Sequence, residues 1–243
     1  MTFLEKKAVA NYNKIARGFY DWRKNKSFLY KYIEMPATLS LLEDIKGKKL
    51  LDLGCGPGVL AKLLQSEGAS VSGIDISAKM IEMARANAHG IDFKVGSGYR
   101  LPYPPESFDI VLAAYSMEYF EDLNKVLREI KRVLKKNGRF VFSIPTPIQE
   151  TTDHIEGRPH TWRKFEGYFD TGFRNSKWNT VKMHYMHRTY ENWIKTIVRN
   201  GFIIEDYVDA KPITAGRKAN RIEYEYGMNV PRVCVFKVRK AQP

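Results

Sequence analysis

From residue 49 to residue 145, short apolar runs alternate with longer segments in which apolar residues return every three or four positions. The short runs read as strands buried on both faces, and the periodic segments as helices that cover them. The stretch therefore predicts repeated β-α units around a parallel sheet. Strands are expected at 49–53, 70–75, 91–95, 109–114 and 139–144, and helices at 59–65, 78–88 and 123–135. Ser77 is placed to cap the second helix, and Gly138 to close the third in a left-handed conformation.

The texture changes on either side of this core. Residues 1–46 read as a helical cap carrying Tyr12, Phe19, Tyr20 and Trp22, packed over the sheet edge or a ligand cleft. Residues 146–188 mix His, Trp, Tyr, Phe, Arg and Gly without a sustained period. An irregular segment of roughly 40 residues inside a compact domain marks a lid or a binding insert. Residues 189–243 regain a pattern, with a helix at 190–200 closed by Gly201 and strands at 203–208 and 233–238. The expectation is one domain, with 47–145 as its ligand-binding core, 146–188 as a substrate-binding insert and 189–243 as an αββ completion of the core.

Composition narrows the class. Of 243 residues 44% are apolar and 13% aromatic, which supports one sizeable core and excludes a disordered or fibrous chain. Cys55 and Cys234 lie far apart, so neither a disulfide framework nor a thiol zinc site is expected, no metal is assigned, and a reducing cytoplasm fits. No apolar run approaches the roughly 20 residues that a membrane-spanning helix needs, so no membrane insertion is expected. Lys and Arg exceed Asp and Glu, 40 − 27 = +13. Such a charge suits RNA or an anionic small substrate, yet much of it lies at helix positions such as Lys125, Lys131, Lys135 and Lys136, where solvated charge is ordinary.

Candidate chemistry concentrates at Leu50-Leu51-Asp52-Leu53-Gly54-Cys55-Gly56-Pro57-Gly58, where a buried strand must turn into a helix. Glycines there let the chain adopt positive φ and let backbone approach a ligand closely. The spacing is GxGxG, and Val59 stands where the dinucleotide fingerprint needs a small residue, which disfavours a nicotinamide dehydrogenase. Asp75 ends the next strand, where a carboxylate can accept hydrogen bonds from both hydroxyls of a ribose. Together these features place a nucleoside-bearing ligand at the C-terminal edge of the first two strands.

These residues resemble the class I S-adenosylmethionine-dependent methyltransferases, in particular the branch of ubiquinone-biosynthesis and other small-molecule methyltransferases. LLDLGCGPG at 50–58 is similar to that family's first motif and GIDIS at 73–77 to its second. RLPYPPESFDIVLAAYSMEYF at 100–120 looks like the block around its fourth strand, and LREIKRVLKKNGRFVFSIP at 127–145 like the helix and strand that follow. The resemblance runs in order over 12–145 and implies an α/β, Rossmann-like fold. Its sheet would be seven-stranded and mostly parallel, with helices on both faces and an antiparallel last strand at 233–238.

Carried over by residue, the resemblance assigns the backbone of Gly54, Cys55, Gly56 and Gly58 to the methionine end of S-adenosylmethionine and Asp75 to its ribose. Asp52 would hold the loop and the ammonium group, Ile76 and Met80 would sandwich the adenine, and Ala114 and Tyr115 would face the amino acid moiety. Tyr12 and Tyr20 match aromatic positions that cover the cofactor; both, like Met80, also read as core residues. Where many relatives carry an acid after the third strand to bind the adenine amino group, this chain has Gly96-Ser97-Gly98, so Ser97 and the backbone at Gly98 would share that contact.

Methyl transfer from a sulfonium is an in-line displacement, and a general base is needed only where the acceptor must lose a proton. The insert offers His154, Glu156, His160, Tyr168, His184, Tyr185 and His187. His154 and His187 lead, because they stand near the points where it leaves and rejoins the core. The implied function is transfer of a methyl group to an O, N or C nucleophile of a small acceptor, anionic or aromatic, with S-adenosylhomocysteine as product. One alternative is a tRNA or rRNA methyltransferase, favoured by the charge but lacking an Asn/Asp-Pro-Pro-aromatic motif at Ala113-Ala114-Tyr115-Ser116. The other is a catalytically silent S-adenosylmethionine-binding protein, against which the intact glycines and Asp75 stand.

Overall fold

The computed structural model describes residues 1–154, 163–178 and 181–241, without the side chains of 152–154, 163 and 178. The strands are β1 (Lys49–Leu53), β2 (Ser70–Asp75), β3 (Asp92–Val95), β4 (Phe108–Ala114), β5 (Leu134–Pro145), β6 (Thr152–His154), β7 (Arg163–Phe165), β8 (Gly172–Trp178), β9 (Val181–His187), β10 (Phe202–Asp209) and β11 (Val233–Lys240). The α-helices are α1 (Phe3–Asp21), α2 (Met35–Leu42), α3 (Val59–Ser66), α4 (Ala78–Asn87), α5 (Leu123–Val133), α6 (Pro147–Glu150), α7 (Tyr190–Arg199), α8 (Thr214–Ala219) and α9 (Arg221–Asn229). Two single π turns, Trp22–Lys26 and Tyr30–Glu34, join α1 to α2.

Seven strands form one sheet in the order β10-β11-β5-β4-β1-β2-β3. β1 to β5 run parallel, and β11 is antiparallel to both β5 and β10, so the expected seven-stranded architecture holds. Because both faces are covered, the strands bury successive side chains alternately on opposite sides. Leu51, Val111, Phe140, Phe142 and Phe236 face a cluster capped by α5 and α7. Leu50, Ile110, Leu112, Val141 and Val235 face a second cluster with α2, α3 and α4. The helix faces follow from spacing: Leu123, Val126, Leu127, Ile130 and Val133 of α5 are all buried.

Three expectations change. The left-handed residue is Asn137, at φ 61° in the exposed start of β5, not Gly138. The helix closes at Val133 and the chain enters β5 directly at Leu134, so no glycine C-cap forms. The insert, irregular in sequence, contains two antiparallel strand pairs, β6–β7 and β8–β9; β9 packs against α1 and neither pair joins the main sheet, so strict alternation is not imposed. The C-terminal part also holds α8 and α9 between its two strands, so it is more helical than an αββ unit.

α1 is the element that reaches the site. Thr2 and Glu5 form a reciprocal capping box at its start, and Leu4 N–H donates to Glu121 at 2.6 Å. Ser77 Oγ, which caps α4 as expected by accepting from Met80 N–H at 3.1 Å, also donates to Asn13 of α1 at 2.7 Å. The helix is thereby pinned at both its start and middle across the C-terminal edge of the sheet.

Candidate active site

The β1–α3 turn is shaped by its glycines. Gly54, at φ 75°, would place a Cβ 2.5 Å from Ser116 Cβ, so only glycine lets the turn sit against the end of β4. Gly56, at φ 52°, has nothing within 4 Å of such a Cβ and opens onto a cleft. The turn is tied down by Gly54 N–H and Cys55 N–H, which both donate to Ile74 C=O at 2.8 and 3.1 Å. Asp75 accepts from Gly56 N–H at 2.9 Å and from Ser77 N–H at 2.8 Å, so the acid at the end of β2 organises the loop of β1. Burial raises its carboxyl above the ordinary value, against those N–H donors, which lower it.

The cleft is lined by Gly54, Gly56, Asp75, Ile76 and Met80, together with Tyr12 and the Gly96 and Gly98 backbone. Asp52 is 1% exposed beneath this turn, and its Oδ2 has no hydrogen-bond partner among the described residues. Burial pushes its carboxyl up to about 7, with Asp75 and Glu34 reinforcing the rise and Arg23 opposing it. An orphaned carboxyl oxygen beside a glycine cradle fits a ligand with a cationic amino acid end and a ribose, which is what S-adenosylmethionine presents.

Several predicted residues serve the cleft from behind. Gly58 caps α3 and packs on Ala84 and Phe93. Cys55 is buried, and burial holds its thiol well above the ordinary value, so it is no nucleophile. Ala114 is buried under Tyr115, whose φ of 55° ends β4 abruptly and turns its side chain into a second cavity. Tyr20 does not line the cleft: it lies on the outer side of α1 and accepts from Lys24 at 3.2 Å, while Phe19, one position earlier on the helix, takes the inner place.

Glu5 was not legible as a site residue. It is 6% exposed, lines the cleft from α1, and accepts from Ser97 Oγ, so an acid stands beside the third strand although none occurs in the sequence there. The capping box was its only local signal.

A second cavity of about 340 Å³ adjoins the cleft and shares with it Tyr12, Phe19, Arg23 and Tyr119. Tyr12 donates to Tyr119 Oη at 2.8 Å, forming an aromatic partition between the two. The chamber is completed by Tyr30 and Glu34 from the π turn, Glu118 after β4, Glu150 of α6, and Met183 and Tyr185 of β9.

Of the two histidines proposed as bases, His187 stands behind the wall of this chamber rather than lining it. His187 is fully buried, with Nδ1 2.6 Å from Glu150 and Nε2 2.9 Å from Tyr168 C=O. Burial lowers its ring, but the bonds to Glu150 and Tyr168 outweigh that and raise it. With both nitrogens engaged it holds Glu150 in place instead of facing an acceptor. His154 pairs with Arg163 in the β6–β7 ladder, and its side chain lies outside the described residues, as do Glu156 and His160.

The fold and cleft thus define a class of nucleoside-cofactor enzyme, and comparison with known proteins gives its family. Residues 51–142 match the family model described as "Methyltransferase domain". An uncharacterized Haemophilus influenzae protein is 33% identical over 239 residues, 90% of this chain and 92% of that one. The demethylmenaquinone methyltransferase of Thermotoga maritima is 33% identical over 142 residues, 56% of this chain and 61% of that one. The crystal structure of an S-adenosylmethionine-dependent methyltransferase from Mesorhizobium loti superimposes with a TM-score of 0.78 at 27% identity, covering 89% of this chain and 99% of that one. The chain belongs to the class I S-adenosylmethionine-dependent methyltransferases. Among the described residues no helix is long and apolar enough to cross a membrane, and no group of three or more metal-ligating side chains occurs.

Proposed function

We propose that this methyltransferase acts on a small aromatic acceptor held in the chamber behind Tyr12 and Tyr119. The observation that carries this reading is the shared partition: one set of side chains walls both the cofactor cleft and a cavity lined by tyrosines. S-adenosylmethionine, when bound, supplies an electrophilic methyl group on a sulfonium sulfur. The chain's own part is to hold the two ligands in line and to keep water out, work that rigid aromatic walls do well. The named activity of the Thermotoga relative on demethylmenaquinone, a quinone, supports an aromatic acceptor.

Within the cleft, Asp75 takes the ribose, Ile76 and Met80 flank the adenine, and Glu5 accepts from the adenine amino group, with Ser97 holding Glu5 rather than binding the base itself, while Asp52, buried behind the turn, acts on the ammonium group through its charge. Replacing Glu5 with Gln should weaken S-adenosylhomocysteine binding by about tenfold and reduce preference over the inosine analogue, the cost of weakening one charged hydrogen bond. Unchanged preference would remove Glu5 from the adenine.

The test of the whole reading is calorimetric titration with S-adenosylhomocysteine, with and without bulk tRNA, followed by mass-spectrometric search for methylated products in a panel of phenols, quinols and aromatic amines. Micromolar cofactor binding indifferent to tRNA is expected. Salt-sensitive tRNA binding coupled to cofactor would instead favour RNA as acceptor, the reading to which the +13 charge points.

A further inference from the structure

The lining of the chamber opposes the net charge of the chain. Glu34, Glu118 and Glu150 line it, and its one lining cation among the described residues is Arg23. That guanidinium is already engaged, 4.0 Å from Glu34 and 4.2 Å from the centre of the Tyr30 ring. Glu34 is 1% exposed and Glu118 4%, and in each Oε2 has no hydrogen-bond partner among the described residues. Glu34 Oε1, by contrast, accepts from Thr38 and Ser143 at 3.1 and 2.8 Å, so Glu34 is half satisfied and held in place. Glu118 has no such side-chain donor among the described residues, and sits in the 3-10 turn Met117–Tyr119, next in sequence to the partition residue Tyr119. A buried carboxyl oxygen without a donor is costly unless a ligand supplies one.

Resting on the methyl-transfer reading, we infer that Glu118 is the hydrogen-bond and proton acceptor for the acceptor's nucleophilic hydroxyl, and that the acceptor is an uncharged aromatic hydroxyl compound rather than an anion. The acceptor O–H donates to the Glu118 carboxylate. As the oxygen's electron pair forms the new bond to the methyl carbon, the methyl–sulfur bond breaks with its pair remaining on sulfur. The hydroxyl proton ends on Glu118 and leaves to solvent on product exchange. Atoms and charge balance without any further reactant.

The groups facing Glu118 set its charge. Burial, then the nearby Glu150 and Glu34, hold its carboxyl up at about 8, against Arg188 and its own backbone hydrogen bond, which lower it; Tyr115 contributes an uncharged phenol. Below that pH the group is protonated and cannot take a proton, and above it the added negative charge turns anions away.

The test uses the full chain loaded with S-adenosylhomocysteine and two probes of similar shape, 1-naphthol and 1-naphthoate. Between pH 6 and pH 8.5, naphthoate binding should weaken about tenfold in the wild type while naphthol binding holds. In Glu118→Gln the naphthoate profile should be flat, with S-adenosylhomocysteine binding within twofold of wild type as evidence of folding. With S-adenosylmethionine, methylation of 1-naphthol should rise with pH to a plateau above about 8 in the wild type, be partly retained in Glu118→Asp, and be flat and low in Glu118→Gln. A pH-independent naphthoate affinity in the wild type, naphthoate binding as well as naphthol at pH 8.5, or no pH-dependent methylation of naphthol overturns the inference. Loss of S-adenosylhomocysteine binding by the wild type would instead overturn the methyltransferase reading on which it rests.

Discussion

The cofactor cleft and the chamber behind it share a wall, yet they are built by different means. The floor of the cleft comes from one stretch of chain: the glycine turn after β1, Asp75 at the end of β2, and the Gly96–Gly98 loop after β3 all lie within one run of parallel β-α units, which α1 then covers. The chamber is made of side chains brought from α1, the π turns, the segment after β4, α6 and β9, which span 12 to 185 in the sequence. A floor drawn from one stretch of chain is specified locally. A site of side chains can be retuned one residue at a time, and its chemistry depends on tertiary packing.

Substitutions that separate the two regions test this contrast. The largest effect is expected for Gly54→Ala. A left-handed alanine costs about 1–2 kcal/mol, and its Cβ would displace Ser116, adding strain of about 1–3 kcal/mol. Calorimetry should show S-adenosylhomocysteine binding weakened by about 100-fold or more, and retention of wild-type affinity would mean that the turn does not cradle the cofactor. Asp75→Ala should cost about 1–3 kcal/mol of cofactor binding, since it removes both the ribose acceptor and the anchor of Gly56 N–H.

His187→Asn probes the other region. It strips Glu150 of its buried partner and should lower thermal stability by about 1–3 kcal/mol while leaving cofactor affinity within twofold. A large loss of cofactor binding would show that the two regions are not separable. The smallest effect concerns pH. Because the Asp52 carboxyl sits near 7 and a cationic ligand favours its charged form, S-adenosylhomocysteine should bind a few-fold more tightly at pH 8 than at pH 6, and Asp52→Asn should abolish the trend. In the ligand-free protein the sign is opposite. Asp52 and Glu118 keep their protons to about 7 and 8, whereas the unfolded chain releases them at ordinary carboxylate values, so unfolding temperature should fall as pH rises through that window.

Which residues were legible follows the same divide. Gly54, Gly56, Asp75, Ile76 and Met80 could be read because strand, turn and helix follow one another and the motif is contiguous. Both Tyr12 and Tyr20 were expected to cover the cofactor; Tyr12 lines the cleft and Tyr20 does not, because a single residue on a helix turns the side chain by about 100° and the phase of α1 is set by its pins at Glu121 and Asn13. Glu5 and Glu118 carried no local signal of a site. Each is a charged residue beside apolar neighbours, Leu4 for Glu5 and Met117 and Tyr119 for Glu118, and only the docking of α1 and the turn after β4 buries it.

The sequence by itself determined the sheet, its helical cover and the cofactor turn, because hydrophobic period and glycine stereochemistry act over a few residues. Only the tertiary structure decided which carboxylates are buried, which histidine is engaged, and what the second chamber presents to an acceptor. Burial and charge proximity arise between segments distant along the chain, and local patterning cannot encode them.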